Sequence, residues 1–165
     1  MKKTKLLSII LVLALVLSAL ISCSSESVAK TGTAKIVVEY SGEGGITYDV
    51  YDVDLSLLEK RSEGALSLLE YIASQQGSKL YYSVNFGGGY GAYINSIGAL
   101  YPVSSNGEYI SVYTTEECDY AVPTEYFPTV STASYGEKTL TYSGVGISSM
   151  TVNDGTVIMF RLEKY

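Results

Sequence analysis

The hydrophobic and polar positions of this chain alternate with the period of β-strands over much of its length. Residues 35–40 form a run rich in Ile and Val that ends in a Ser- and Gly-rich turn at residues 41–45. In residues 51–57, Tyr, Val and Leu occupy every second position, and Asp or Ser lie between them. Because successive side chains of a strand point to opposite faces, this pattern predicts a strand with one buried and one solvated face.

One segment shows helical spacing instead. Its apolar residues recur every three or four positions and form one stripe, made of Ala65, Leu66, Leu69, Ile72 and Ala73. Ser62 precedes the stripe as a candidate N-cap with Glu63 in the first turn, and Gly77 follows as a C-terminal stop. We therefore expect one helix here, with its stripe packed on a sheet face.

The rest of the chain has the character of β-strands. Aromatic and β-branched residues predict strands at residues 80–84, 92–97 and 109–113. Asn153-Asp154-Gly155 lies between two apolar runs, which is a hairpin signal leading into a last strand at residues 156–163.

The order of these elements predicts the fold class. One helix follows two strands and precedes four more, so we expect an α+β fold with one helix packed on a mixed β-sheet, grasp-like in shape. Residues 34–165 are assigned to this domain. Residues 115–138 show no sustained period, which is typical of a functional connection or an insertion.

The N-terminal segment is typical of an export signal. Three lysines within the first five residues precede an apolar run from Leu6 to Ile21. A helix of that length rises about 24 Å, which is short of the roughly 30 Å hydrocarbon core of a bilayer. Residues 1–22 are therefore interpreted as a signal peptide rather than a membrane span.

The signal ends in Leu20-Ile21-Ser22-Cys23, which resembles the lipobox of bacterial lipoproteins. In that family the cysteine is lipidated on sulfur, because a thiolate can accept the diacylglyceryl group, and it becomes the new N-terminus after cleavage. The resemblance implies lipid attachment at Cys23, and two or three acyl chains suffice for stable anchoring. We expect a bacterial protein on the extracytoplasmic face of the cell membrane, with residues 23–33 as a flexible linker.

Composition narrows the function classes. The chain has no His and no Trp, which excludes Ser-His-Asp and Cys-His catalysis and His-ligated metals. Its formal charge is −6, and loss of the three N-terminal lysines leaves eight cationic and 17 anionic side chains, a charge of −9. That balance argues against nucleic acid as a partner. With Cys23 lipidated, Cys118 is the one thiol left, so we expect no internal disulfide.

No motif in the chain indicates catalysis or a cofactor. Gly87–Gly91 lacks the Lys-Ser/Thr pair of a phosphate-binding loop, and no predicted helix follows it. Asp49, Asp52 and Asp54 lack the spacing of a calcium loop and are interpreted as part of a solvated strand face. We expect a non-enzymatic protein without metal or cofactor. A hydrolase with two converging carboxylates stays open, because their separation cannot be read from the sequence.

Tyrosine is the one compositional excess, with 16 in the chain and seven of them within residues 81–113. Tyrosine combines a flat apolar ring with a polar tip, which suits flat ligands and partner surfaces. The cluster indicates either tyrosine packing in a β-domain that lacks Trp or an exposed binding patch.

Four segments, taken in order, match a known pattern. Residues 63–69 lead into a Leu-rich helix, residues 90–98 read Tyr-Gly-Ala-Tyr-Ile-Asn-Ser-Ile-Gly, residues 109–113 form an aromatic strand, and residues 144–157 carry Gly-Val and Asn-Asp-Gly. Together they resemble a bacterial lipoprotein family, the domain of unknown function 4430 family, which is similar to the C-terminal domain of transcobalamin and intrinsic factor. The resemblance covers roughly residues 35 to 165 and implies a small transcobalamin C-terminal-like α+β domain.

In its animal relatives this domain covers one face of cobalamin, and bacterial members are commonly surface lipoproteins. The resemblance therefore implies capture of a corrinoid, or of another flat small molecule, for an uptake transporter, with cobalamin as ligand rather than cofactor. The ligand would lie between three walls: Tyr90, Tyr93 and Asn95; Tyr109 and Tyr113; and Gly144-Val145-Gly146. The alternative is a surface module that binds protein or glycan, as in adhesion, and takes no small molecule.

Overall fold

The computed structural model describes residues 27–87, 89–126 and 128–165. The predicted signal peptide, residues 1–22, and the predicted lipid-attachment residue Cys23 lie outside the described residues, so both stay predictions. Within the described part of the chain, no helix is long and apolar enough to cross a bilayer.

Eight strands and one α-helix make up the main regular structure of the described residues. In chain order they are β1 (Thr33–Gly42), β2 (Gly45–Asp54), α1 (Gly64–Ser74), β3 (Tyr82–Phe86), β4 (Ala92–Ile97), β5 (Glu108–Thr114), β6 (Thr132–Tyr135), β7 (Lys138–Tyr142) and β8 (Val157–Lys164). Short 3-10 turns lie between some of them, and the turn at Ile147–Ser149 packs against α1 and β4.

Six of the strands form one mixed sheet in the order β2-β1-β8-β5-β7-β6. β1 and β8 run parallel in the interior of the sheet, and the other neighbouring strands are antiparallel. β3 and β4 form a separate antiparallel hairpin. One helix with a mixed sheet is an α+β arrangement, as the sequence predicts.

The larger core lies on one face of the sheet. There the alternate residues of β1 and β8 meet the apolar side of α1 and the β3–β4 hairpin, and the buried side chains include Ile36, Val38, Leu69, Ile97 and Phe160. This is the helix-on-sheet packing that the apolar stripe of α1 predicts.

The opposite face of the sheet holds a second, smaller core around Val37, Leu140 and Met159. The sheet curls over this core, since Tyr48 of β2 and Tyr135 of β6 come from opposite ends of the strand order. Their ring centroids lie 5.3 Å apart in an edge-to-face contact. Both faces of the sheet are therefore buried along part of its length.

The helix begins later than predicted and is capped differently. It starts at Gly64, and Glu63 provides no side-chain cap. The N–H of Gly64 instead donates to the Oγ of Ser27, 2.9 Å away. Gly64 has a φ of 50°, and a Cβ atom there would lie 2.4 Å from the carbonyl oxygen of Met150. The prediction of Ser62 as N-cap is wrong because a residue distant in sequence takes that role.

The chain joins the folded domain several residues before residue 34. Val28 is buried and forms a β-bridge with Val152. The N–H of Ala29 donates to the carbonyl of Val152 at 2.8 Å, and the carbonyl of Ser27 accepts from the N–H of Val152 at 2.7 Å. The folded domain thus includes residues 27–33, which the sequence places in a flexible linker.

The predicted hairpin at Asn153-Asp154-Gly155 is wrong. The chain does turn there, with Gly155 at a φ of 82° and the carboxylate of Asp154 accepting the N–H of Thr33 at 2.8 Å. The flanking residues do not pair with each other, because Val152 bridges to Val28 and β8 pairs with β1 and β5. The turn joins two segments that each have a more distant partner.

Residues 115–138 contain structure that the sequence pattern does not predict. They hold a 3-10 turn at Glu117–Asp119 and strand β6, which pairs with β7. This hairpin covers only the last part of β5, because β7 pairs with Tyr113 and Thr114 alone. The rest of β5 borders a cleft that also contacts β4.

Candidate functional site

A cleft of about 670 Å³ lies between β4 and β5. Six of the seven residues that the sequence predicts as ligand contacts line it: Tyr90, Tyr93, Asn95, Tyr109, Gly144 and Val145. They come from three separate parts of the chain. The structure therefore brings three predicted walls into one place, with the exception of Tyr113.

The floor of the cleft is apolar. Ile110 and Val112 point from β5 toward the larger core, and Ala92 and Ile94 point to it from β4. Alternation within each strand produces this floor, because every second side chain shares a face. The floor gives an apolar ligand a surface to bury against.

Tyr90, Tyr93 and Asn95 form the exposed rim on the β4 side. Tyr90 is 65% exposed and Tyr93 is 45% exposed. The carbonyl of Tyr90 accepts the N–H of Gly146 at 2.6 Å, and the N–H of Ala92 donates to the Oγ of Ser148 at 2.8 Å. These bonds fix the start of β4 to the opposite rim, so the two tyrosine rings project from a positioned backbone.

Gly144, Val145 and Gly146 form the second rim. A Cβ atom on Gly146 would lie 2.6 Å from the carbonyl oxygen of Ala92, so this contact requires glycine. The N–H of Gly144 donates to the carbonyl of Asp119 at 2.8 Å, which ties the rim to the segment after β5. Close backbone packing, rather than side chains, sets the width of the cleft here.

Tyr109 and Tyr142 form the end of the cleft nearest the edge of the sheet. The hydroxyl of Tyr109 donates to Glu163 at 3.2 Å, and its ring stacks on Tyr165 with centroids 5.7 Å apart. Burial raises the pKa of Tyr142, with the negative charge of Glu163 adding to the effect. The ring of Tyr109 is therefore held in place, and the raised pKa keeps Tyr142 neutral at ordinary pH.

Glu108 is the one acidic residue among the described residues that line the cleft. Its carboxylate accepts the N–H of Val103 at 2.9 Å and pairs with Lys164 at 3.3 Å. The hydrogen bond from Val103, aided by Lys164, holds the pKa of Glu108 below its ordinary value. Among the described residues, no second carboxylate lines the cleft that could act together with Glu108 on a bound molecule.

Tyr113 does not line the cleft, and its assignment to a ligand wall is corrected. It is fully buried on the opposite face of the sheet. Its hydroxyl donates to Glu163 at 2.6 Å and accepts from Arg161 at 3.1 Å, while the guanidinium of Arg161 lies 4.8 Å from its ring centroid. Burial first, and then the bond to Glu163, raise the pKa of Tyr113 far above its ordinary value.

Several lining residues were not predicted, among them Tyr142, Glu108 and Pro102. Tyr142 ends β7, a strand that the sequence pattern does not reveal. Glu108 and Pro102 flank the turn before β5, where no motif marks them. The one sequence signal that could have placed them in the cleft is their closeness to predicted residues: Glu108 and Pro102 precede Tyr109, and Tyr142 precedes Gly144.

The other candidates for chemistry are accounted for by ordinary contacts. Asp49 accepts the hydroxyl of Tyr40 at 2.9 Å, Asp52 pairs with Lys35, and Asp54 accepts the N–H of Ser56 at 2.9 Å. Among the described residues, no group of three or more Asp, Glu, Cys or His could hold a metal ion.

Comparison with known proteins adds little to this geometry. No family model and no curated protein matches the chain. A solved structure from Ruminococcus gnavus, called a "putative metal binding protein", is similar with a TM-score of 0.47 and 12% identity, over 81% of this chain and 98% of that one. A likeness this distant carries no inference about what the present chain binds.

Proposed function

We propose that this protein is an extracytoplasmic ligand-binding protein, anchored to the bacterial membrane through lipidated Cys23, and that its ligand binds in the cleft between β4 and β5. One observation carries the proposal. Residues chosen from the sequence in three separate segments converge on a single cleft of about 670 Å³, within the range of about 300 to 1,000 Å³ that is typical of ligand sites.

The lining favours a flat ligand. Tyr90 and Tyr93 are exposed aromatic rings beside an apolar floor that includes Ile110 and Val112. Rings of this kind stack on flat groups, while their hydroxyls supply a few polar contacts. With one acidic residue in the described lining, binding is a better explanation of this site than catalysis.

A corrinoid is the ligand that the resemblance to the transcobalamin C-terminal domain implies, as part of an uptake system. One feature of the α+β fold supports a transcobalamin C-terminal-like domain: a helix packs on a mixed sheet, and a cleft rimmed by loops lies beside it. Because the chain has no His, cobalt would not take an imidazole ligand from it. Binding would rest on stacking and on the tyrosine hydroxyls.

The proposal is tested by calorimetric titration of the full-length protein in detergent with cyanocobalamin and with cobinamide. We expect saturable binding that falls at least about tenfold in Tyr93→Ala, because one stacking contact is lost. Tyr81→Ala is the matched control, since Tyr81 is 72% exposed and lies outside the cleft. If Tyr93→Ala and Tyr81→Ala bind the ligand with equal affinity, the cleft is not the binding site.

The alternative, a surface module that binds protein or glycan, is favoured by a different observation. The cleft opens onto a part of β5 that, among the described residues, has no neighbouring strand on one side.

A further inference from the structure

β5 is paired unequally on its two sides. β8 pairs with it along its whole length, from Glu108 to Thr114. On the other side β7 pairs with Tyr113 and Thr114 alone. From Glu108 to Val112, β5 therefore has no strand partner on this side within the described chain, although it lies inside the strand order. The N–H of Glu108 donates to the carbonyl of Val103 at 3.4 Å and the carbonyl of Val112 accepts from Ser143, so the backbone groups left for a partner are the C=O of Glu108, the N–H and C=O of Ile110, and the N–H of Val112.

The direction of the backbone groups at this edge follows from one hydrogen bond. The carbonyl of Val112 accepts the N–H of Ser143 at 2.8 Å, so the polar backbone groups of Val112 point away from β8. In an antiparallel ladder, alternate residues point their N–H and C=O groups to the same side. The N–H and C=O of Ile110 therefore also point outward, and within the described chain no backbone hydrogen bond outside the ladders reaches them.

Each side of this edge has a cleft. On one side lies the tyrosine-lined cleft of about 670 Å³. On the other lies a second cleft of about 310 Å³, whose lining includes Tyr109, Val122, Val130, Tyr142 and Glu163. Tyr109 and Tyr142 line both clefts, so the two meet along the free edge of β5.

An unpaired edge between two clefts is the arrangement that binding by strand addition requires. Main-chain hydrogen bonds to the edge supply affinity, and alternate side chains of the added strand enter pockets on opposite faces. A free edge exposed without such a use is a liability for aggregation, which proteins normally cover or shorten. Here the edge is short, and pockets flank it on both sides.

We propose that the partner at this site is an extended peptide segment of another protein, which adds as a strand to residues 108–112 of β5. The inference rests on the proposed function, because it names the class of ligand that enters the tyrosine-lined cleft. A flat side chain of the peptide enters that cleft, and the next side chain enters the second cleft. The peptide is neutral or basic, because the chain is acidic overall, with a formal charge of −6. The two carboxylates that border the clefts, Glu108 and Glu163, are already paired with Lys164 and Arg161.

The probe is a positional-scanning array of uncharged and basic hexapeptides, bound by the full-length protein in detergent. The best sequence is then resynthesised with a methyl group on each backbone nitrogen in turn. Strand addition predicts that methylation lowers affinity about tenfold at two positions separated by one residue, whose N–H groups donate to the carbonyls of Glu108 and Ile110, and little at the position between them. Uniform sensitivity, or none, overturns strand addition.

A pair of protein variants gives an independent test. Ile110→Pro removes an N–H that points away from β8, whereas Ile110→Val keeps it and changes the side chain little. We expect peptide binding to be lost in Ile110→Pro and weakened only a few-fold in Ile110→Val, which keeps the N–H but removes one methylene from the floor of the cleft. If Ile110→Pro fails to fold, the methylated peptides still decide the question.

The two proposals fail in different ways. If no array peptide binds while cyanocobalamin binds in the Tyr93-dependent manner, strand addition is wrong and ligand binding in the cleft stands. If neither class binds, both are wrong. If a peptide binds with the alternating pattern and Tyr93→Ala weakens it, both hold and the ligand class is a peptide.

Discussion

The exposed tyrosines at the cleft rim and the buried Tyr113 form two groups on opposite sides of the six-stranded sheet, and they differ in burial and in hydrogen bonding. Tyr90 and Tyr93 project from the rim of the cleft, and in the described structure no side-chain hydrogen bond holds their hydroxyls. Tyr113 is fully buried, and its hydroxyl is held between Glu163 and Arg161. The first group is available to a ligand and the second is not.

The difference lies in burial and hydrogen bonding. A buried hydroxyl with two charged partners contributes to stability, because leaving those partners unsatisfied is costly. An exposed ring contributes little to stability, and its flat surface stays free for binding. An excess of tyrosine in a sequence can therefore reflect two roles at once, and the partners decide which role each residue has.

The largest expected effect is the difference in unfolding free energy between a substitution of the buried tyrosine and one of an exposed tyrosine. Tyr113→Ala should lower the free energy of unfolding by about 3–5 kcal/mol, since it removes a fully buried aromatic side chain. Tyr93→Ala should lower it by less than about 1 kcal/mol. Guanidinium denaturation of both variants checks this, and equal losses would contradict the distinction.

The charged partner of Tyr113 gives the next effect. Glu163 accepts hydrogen bonds from Ser111 at 2.5 Å and Tyr113 at 2.6 Å, and it pairs with Arg161. Glu163→Gln should cost about 2 kcal/mol of unfolding free energy, because Arg161 loses its anionic partner in a partly buried site. Glu125→Gln, at an exposed position, is the control and should change little.

Acid should reduce the difference in unfolding free energy between the wild type and Glu163→Gln. Burial alone would raise the pKa of Glu163, but hydrogen bonds from Ser111 and Tyr113, together with Arg161, outweigh it and hold the pKa below the ordinary 4.5. The stability that ionised Glu163 contributes is thus present above pH 4.5 and lost as the pH falls below it. Urea unfolding of wild type and Glu163→Gln at pH 7 and below pH 4.5 should show the gap between them narrowing. A gap that stays constant would contradict this.

Alkali should give the smallest effect. The pKa of Tyr113 is raised above the ordinary 10.0, so its neutral form stabilises the fold below pH 10.0, and this contribution declines as the pH rises further. Tyr113→Phe should cost about 1 kcal/mol at neutral pH through its lost hydrogen bonds. Above pH 10.0 the wild type should lose stability faster than Tyr113→Phe. Parallel declines in thermal unfolding would show that Tyr113 is not responsible.

The sequence predicted the class of fold and much of the cleft because those signals are local. Alternation identified β4 and β5, and Tyr90, Tyr93 and Asn95 are close in sequence on one rim. The prediction for Tyr113 was wrong for a physical reason. Tyr113 lies on the same face of β5 as Tyr109, but β7 pairs with the end of β5 that contains Tyr113 and leaves the end that contains Tyr109 open. Which end stays open depends on where β7 lies.

The remaining differences also come from contacts between distant parts of the chain. Ser27 caps α1 from 37 residues away, so no local motif near Gly64 could reveal it. Val152 pairs with Val28, so the Asp-Gly turn that follows it does not form the hairpin that its sequence favours. Local patterns predict elements, whereas the partner of an element is chosen by the packing of the whole domain.

The parallel pairing of β1 with β8 has a consequence for how the chain acquires its structure. These strands begin at Thr33 and end at Lys164, so the interior of the sheet cannot assemble until nearly the whole domain is available. Pairing over such a separation forms slowly, because the ends of a long segment must first meet. An unfinished chain therefore lacks the assembled sheet, and a secreted polypeptide, as the N-terminal signal predicts this one to be, passes through a translocation channel before its sheet has formed.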